Sequence, residues 1–204
     1  MKTAAIVLAA GKSERMGQNK LLLRLNDTTV IDTILDAVAA ANIDATLVVL
    51  GYKPEQIIEV TQPRREAIKT VINEDFEHGM ISSFQKGIQM LPPVDAAFLI
   101  LGDEPILDNN FLNAMMEHME NSRGRALLVS PIYKGRKGHP LLVHRQLFRE
   151  ILDLKKTDTM RDVVRRHADR LLTIAAPQWT ILDIDTPEDY ACIRRLMGGG
   201  SCGH

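Results

Sequence analysis

Aromatic rings are scarce in this 204-residue chain: five Phe, three Tyr and one Trp, 4% in all. That is too few for the stacking platforms on which single-stranded nucleic acids are held. An excess of one charge is missing too. Lys and Arg number 25 against 26 Asp and Glu, for a formal net charge of -1. No global field recruits nucleic acid, so any anion site has to be local. Cysteine is limited to Cys192 and Cys202, which form no C-x-x-C and no disulfide framework, in keeping with a reducing cytoplasm. Long apolar runs are absent. Met1-Lys2-Thr3 leads directly into a strand-like segment too short for a signal h-region or a membrane span. No repeat or linker divides the chain. The expectation is one domain over residues 1–197 and a flexible tail over 198–204, where Cys202 and His204 are too few for more than a minor metal site.

What is present is an ordinary globular composition, 45% hydrophobic and 25% charged, arranged as alternating strands and helices. Apolar runs predict strands at 4–9, 45–50, 68–72 and 96–101. Between them, Thr28 or Thr29 caps a helix to about Ala41, Pro54 opens a short one, and residues 80–91 and 109–120 form two more. Strand–helix alternation at this spacing predicts an α/β fold, a mostly parallel sheet with helices on both faces. Strands follow at 126–130 and 140–143, helices at 145–154 and 159–167, strands at 171–175 and 180–184, and a last helix from Thr186-Pro187.

The first strand runs into Gly11-Lys12-Ser13-Glu14-Arg15-Met16-Gly17-Gln18-Asn19-Lys20. In open α/β sheets, ligands bind beyond the carboxyl ends of the strands. Flexible N–H groups with Arg15 and Lys20 suit a polyphosphate there. A P-loop requires Gly where Ile6 stands, and the dinucleotide fingerprint requires Gly where Ser13 stands, so the loop is neither. Leu21-Leu22-Leu23 and Leu25 are placed to fasten its far end to the core.

Four further stretches carry chemistry. The strand Phe98–Leu101 ends in Gly102-Asp103-Glu104-Pro105, which puts Asp103 on the same rim as the loop, as a Mg²⁺ ligand or a helix cap; Asp108 is better placed to cap. Asp183 and Asp185 alternate in the predicted strand 180–184 and would share a cation, unless Asp185 only helps Thr186 to cap. Ser82 and Ser83 begin the helix after Gly79, either as an anion or base-edge contact or as a cap by Ser82. Lys134 to Pro140 is a small cationic loop, suited to a phosphorylated second substrate or simply solvated.

Taken in order, Leu8-Ala9-Ala10-Gly11-x-Ser13-x-Arg15-Met16-Gly17-x-x-Lys20, Gly79-Met80 with Ser83, Gly102-Asp103-Glu104-Pro105, Gly138-His139-Pro140 and Asp183-Ile184-Asp185-Thr186-Pro187-Glu188-Asp189 resemble the MobA-like nucleotidyltransferases, most of all the molybdenum cofactor cytidylyltransferase branch. The resemblance spans about Ala5 to Tyr190. It implies a three-layer αβα Rossmann-like sheet of the nucleotide-diphospho-sugar transferase type. It also implies transfer of CMP from CTP to the molybdopterin phosphate of the molybdenum cofactor, with Mg²⁺, in the cytoplasm, and molybdoenzyme maturation proteins as partners. Arg15, Lys20 and Asp103 are then catalytic. Leu8, Ala9, Ala10, Gly11, Ser13, Gly17, Gly79, Ser82 and Ser83 bind nucleotide. Lys134, Lys137, Gly138 and His139 face the acceptor, and Asp103, Asp183 and Asp185 hold the metal. The guanylyltransferase branch has Leu-Ala-Gly-Gly where this chain has Leu8-Ala9-Ala10-Gly11, so Ala10 points to cytidine. Glu104 departs from the Gln usual in the cytidylyltransferase branch, which tightens a metal site or marks a different acceptor. Rival readings are the same transfer with GTP or to a sugar phosphate, and a non-catalytic nucleotide or cofactor binder on the same fold.

Overall fold

Small and branched residues let the first strand be buried on both faces. In Thr3–Ala9 (β1), Ala5, Val7 and Ala9 join one apolar cluster while Ala4 and Ile6 join another. The computed structural model describes residues 1–64 and 66–200. After a loop, Arg24–Leu25 (β2) and Thr28–Thr29 (β3) make a small hairpin. Thr29 then caps Val30–Ala39 (α1) by accepting the Asp32 N–H at 3.2 Å. Ala45–Leu50 (β4), Pro54–Thr61 (α2), Ile68–Ile72 (β5), Met80–Met90 (α3), Ala96–Leu101 (β6) and Asn109–Asn121 (α4) follow. Then come Leu128–Tyr133 (β7), Arg136–Lys137 (β8), Leu141–His144 (β9), Phe148–Leu152 (α5), Met160–Arg166 (α6), Leu171–Ala175 (β10) and Pro187–Met197 (α7).

The sheet runs β10-β7-β9-β6-β1-β4-β5, with β8 paired to β7. β1 lies parallel to both β4 and β6, β4 is parallel to β5, and β7 is parallel to β10. β9 runs antiparallel to β6 and β7. Strand alternation sorts the core into two layers. Val48, Leu50, Phe98 and Ile100 pack with α1, α2, α4 and α7; Leu47, Val49, Ala97 and Leu99 pack with α3, α5 and α6. The fold is therefore the expected three-layer αβα arrangement with a mostly parallel sheet. Met115, Met116 and Met119 fill the first layer, and Leu21, Leu23 and Leu25 anchor the end of the first loop in it.

Three expectations need correction. Residues 180–184 are not a strand. Gln178–Ile181 is a 3-10 turn, with Thr180 N–H bonded to Pro177 O at 3.3 Å and Leu182 N–H to Trp179 O at 3.2 Å, so the backbone there is spent locally. The helix expected over 145–154 starts as a 3-10 turn, Arg145–Leu147, and is α-helical only over Phe148–Leu152. The strands expected at 126–130 and 140–143 lie at Leu128–Tyr133 and Leu141–His144; Pro140 has no N–H to give a ladder. At the carboxyl end, Gly198 N–H bonds Arg194 O at 3.1 Å and Gly200 N–H bonds Arg195 O at 2.8 Å, closing α7. Residues 201–204, with Cys202 and His204, lie outside the described residues.

Candidate active site

β1, β4 and β6 all end on one rim, and the first loop crosses it. Ser13 adopts a left-handed backbone (φ 54°) and its Oγ accepts the Lys20 N–H at 3.2 Å, which folds the loop back on itself. Asn19 caps the next turn by accepting the Leu21 N–H at 3.2 Å. These two bonds point the Lys20 side chain inward. Its Nζ lies 2.7 Å from Asp103 Oδ2 and 3.0 Å from Asp185 Oδ1. Asp103 stands just beyond β6. Asp185 stands just before α7, whose capping box gathers three donors on Asp189 Oδ2: the N–H groups of Asp185 and Thr186 and the Thr186 hydroxyl. Ile184 N–H donates to Asp103 O at 2.8 Å and ties the two acidic segments together. Arg15 Nη2 reaches the other Asp185 oxygen at 2.7 Å.

The electrostatics follow from this packing. Burial pulls the Lys20 ammonium toward its neutral form, but Asp103 and Asp185 outweigh it and the pKa ends above that of an ordinary lysine. Burial likewise opposes charge on Asp185, yet Lys20 and Arg15 hold it below the usual carboxylate range. Asp183 and Glu104 have no such cations. Burial first, then Asp185 and Asp103, raises Asp183. Burial first, then Asp103 and Asp183, raises Glu104 well above the ordinary value.

A cavity of about 420 Å³ opens beside Lys20. Of the expected site residues, Leu8, Ala9, Ala10, Gly11, Ser13, Lys20, Gly79, Ser83 and Asp103 line it. Ser13, Arg15, Lys20 and Asp185 line an adjoining hollow of about 260 Å³. Gly17 and Ser82 are not among the lining residues of either. Gly17 (φ 66°) closes the loop turn by donating its N–H to Glu14 O at 3.3 Å. The Ser82 hydroxyl bonds the Gly79 and Asp75 carbonyls at 2.9 and 3.0 Å, and Asn73 Nδ2 holds both serines at 3.0 Å. Sequence reading missed Phe76, Glu77, Met80 and Leu101 on the cavity wall. Met80 and Leu101 lay inside stretches already singled out and Phe76 and Glu77 beside one, but nothing in their spacing marked them as cavity wall.

The residues expected to meet an acceptor do not form one group. Lys134 and Asp183 line a separate cavity of about 390 Å³ with Arg136 and Gln178, while Lys137 is exposed. Asp183 thus lines neither hollow beside Lys20, since it does not alternate with Asp185 along a strand, although Asp185 and Asp103 are near enough to raise its pKa. Gly138 packs against the 178–181 turn; a Cβ there would lie 1.9 Å from Thr180 O. The His139 N–H donates to that same oxygen at 2.9 Å. The His139 Nδ1 is buried without a hydrogen-bond partner. Burial chiefly lowers its pKa, against the opposing Leu99 carbonyl and Asp103.

Two carboxylates converging on one cation are a donor set suited to a divalent ion that keeps water and phosphate ligands. No group of three or more His, Cys, Asp and Glu side chains placed to hold a metal occurs among the described residues.

This chain is 26% identical over 185 residues to the molybdenum cofactor cytidylyltransferase of Escherichia coli, covering 91% of this chain and 92% of that one. Its fold matches a nucleotidyl transferase from Methanothermobacter thermautotrophicus with TM-score 0.83, 24% identity and coverage of 97% and 98%. Rv0371c from Mycobacterium tuberculosis, solved in complex with manganese, matches with TM-score 0.73, 25% identity and coverage of 97% and 99%. The sheet is thus of the nucleotide-diphospho-sugar transferase type. With residues 5–171 matching the MobA-like NTP transferase domain, this chain belongs to that nucleotidyltransferase family.

Proposed function

We propose that the chain transfers CMP from CTP to the molybdopterin phosphate of the molybdenum cofactor, releasing pyrophosphate. The observation that carries this reading is the Lys20 ammonium held between Asp103 and Asp185 at the mouth of the cavity. The activity of the Escherichia coli relative supports the choice of nucleotide and acceptor.

The chemistry asks little of a general base. A phosphate monoester is already anionic near neutral pH, and its oxygen attacks the α-phosphorus. The bond from that phosphorus to the oxygen bridging to the β-phosphate breaks, and pyrophosphate leaves. Catalysis then rests on alignment and charge neutralisation. Lys20 and Arg15 hold the β- and γ-phosphates, with N–H groups of the 8–13 segment close by. Ser83 and Gly79 border the nucleoside. Lys134, Lys137, Gly138 and His139 are proposed to face the acceptor. Asp103 and Asp185 would hold Mg²⁺, which would supply positive charge to the phosphates when bound; Asp183, in the neighbouring cavity, is left out of that set. The manganese complex of a structural relative supports the use of a divalent ion. The site would work in the cytoplasm, with molybdoenzyme maturation proteins receiving the product.

Glu104 favours a second reading, the same transfer to a different phosphorylated acceptor. It puts a carboxyl where the cytidylyltransferase branch has an amide, close enough to Asp103 for that charge to raise its pKa, so the wall beside the proposed metal ligands differs from that branch.

The test is pyrophosphate release with CTP, GTP, ATP and UTP against molybdenum cofactor. CTP is expected to dominate, and Asp103→Ala to abolish turnover. Preference for another nucleotide or acceptor would replace the cytidylyl reading. Nucleotide binding without turnover on any acceptor would favour a sensor, and normal release by Asp103→Ala would refute the metal assignment.

A further inference from the structure

The cavity has a charged end, at Lys20 and Asp103, and a wall from residues 76–83 of which the proposed transfer uses only Gly79 and Ser83. That wall carries Phe76, the one aromatic ring among the described residues lining the cavity. Its seating is unusually tight. Gly51 follows β4, and a Cβ placed on it would stand 2.6 Å from Phe76 Cβ, 2.7 Å from Phe76 Cγ and 2.8 Å from Ala10 Cβ. Only a residue without a side chain lets Phe76 and Ala10 close together over this point. Backbone bonds fix all three pieces: Tyr52 N–H donates to Ala10 O at 3.2 Å and Asn73 N–H to Leu50 O at 2.8 Å. On the solvent side, Lys12 lies 5.8 Å from the ring centroid and pairs with Glu77 at 2.5 Å.

We infer that Phe76 is the surface against which the base of the bound nucleoside triphosphate lies, and that Gly51 is the positioning residue that sets its depth. The inference rests on the nucleotidyltransferase reading of the cavity. With the phosphates at Lys20 and Arg15, the nucleoside extends toward the opposite wall. A ring there offers a π-face, which is worth more to a base than an aliphatic wall. Ala10 lies at the junction of loop and ring, so its methyl bears on the same wall as Phe76.

The experiment is titration calorimetry in the presence of Mg²⁺ with CTP and with inorganic tripolyphosphate, which has the charges but no base. Phe76→Ala is expected to weaken CTP about 10- to 100-fold while changing tripolyphosphate by no more than about twofold. Phe76→Leu, which keeps apolar bulk and guards against misfolding, falls between. Gly51→Ala displaces the ring and weakens CTP about tenfold or more, again sparing tripolyphosphate. Wild-type CTP affinity in Phe76→Ala and Phe76→Leu, or equal losses of CTP and tripolyphosphate in Gly51→Ala, overturns the base wall alone. Failure of the wild-type chain to bind either probe overturns the underlying nucleotidyltransferase reading, and the wall with it.

Discussion

Lys20 places one positive charge between two carboxylates, and all three side chains keep under a third of their surface exposed. Replacing it with Met leaves Asp103 without its cation and Asp185 with Arg15 alone, at a cost of about 1–3 kcal/mol. The pH dependence of that cost has a definite sign. Asp185 is depressed in the folded state, so its contribution is present above the ordinary carboxylate pKa and lost as pH falls through the lower folded value. Lys20 is raised, so its contribution persists to beyond the ordinary lysine pKa. Urea melts of Lys20→Met and wild type are expected to differ fully at pH 7 and to converge below about pH 4. A gap constant with pH refutes the charge account. In turnover, Lys20→Ala is expected to cost about 3 kcal/mol of transition-state stabilisation, read as pyrophosphate release. Glu104 has the opposite sign. Its raised folded pKa means that stability is lost as pH rises from about 4 through that value. Glu104→Gln is therefore expected to melt higher than wild type by a margin that is larger at pH 8 than at pH 4. An equal margin at both pH values excludes a buried carboxyl as its source.

At the scale of elements, α7 does two tasks. Its capping box closes the helix, and the same Asp189 oxygen holds the Asp185 N–H at 3.2 Å. Thr186→Ala is expected to lose about 1 kcal/mol of stability. It should also raise the Mg²⁺ concentration needed for half-maximal pyrophosphate release, because Asp189 loses the hydroxyl that helps aim the oxygen bonding the Asp185 N–H. Unchanged metal dependence separates the cap from the site. The contact between the 134–139 loop and the 178–181 turn is stricter. A Cβ at Gly138 meets a backbone oxygen that cannot swing aside, so Gly138→Ala is expected to cost about 3 kcal/mol or more in denaturant melts. Elements were the most legible scale. Thr29, Asp108 and Thr186 all cap helices, because a hydroxyl or carboxylate before an apolar periodic run acts through local bonds. The segment 180–184 misled because its apolar residues imitate a strand, while its backbone bonds within the turn and to His139.

Over the whole molecule, the sheet carries a core on each face and leaves its carboxyl rim for chemistry. Among the described residues no helix is long and apolar enough to cross a membrane. With a net charge of only -1, the chain as a whole sets up no field that draws in phosphates, so any attraction has to be local. A ligand that binds only the folded chain stabilises all of it. CTP with Mg²⁺ at a hundredfold excess over the dissociation constant adds about 2.7 kcal/mol. For a chain of this size that is a rise of about 5–10 °C in melting temperature. Thermal scans with and without both ligands check it; no shift at saturating CTP excludes a preformed nucleotide site.

The order of strands and helices, the caps, the first loop and the carboxyl-rim position of Asp103 were determined by sequence alone, because alternation, capping and strand termination act between near neighbours. The pairing of Lys20 with both Asp103 and Asp185, the diversion of Asp183 to another cavity, and the seating of Phe76 on Gly51 and Ala10 were decided only by tertiary structure. Those contacts join segments 25–165 residues apart, and their geometry depends on how the strand ends meet in space.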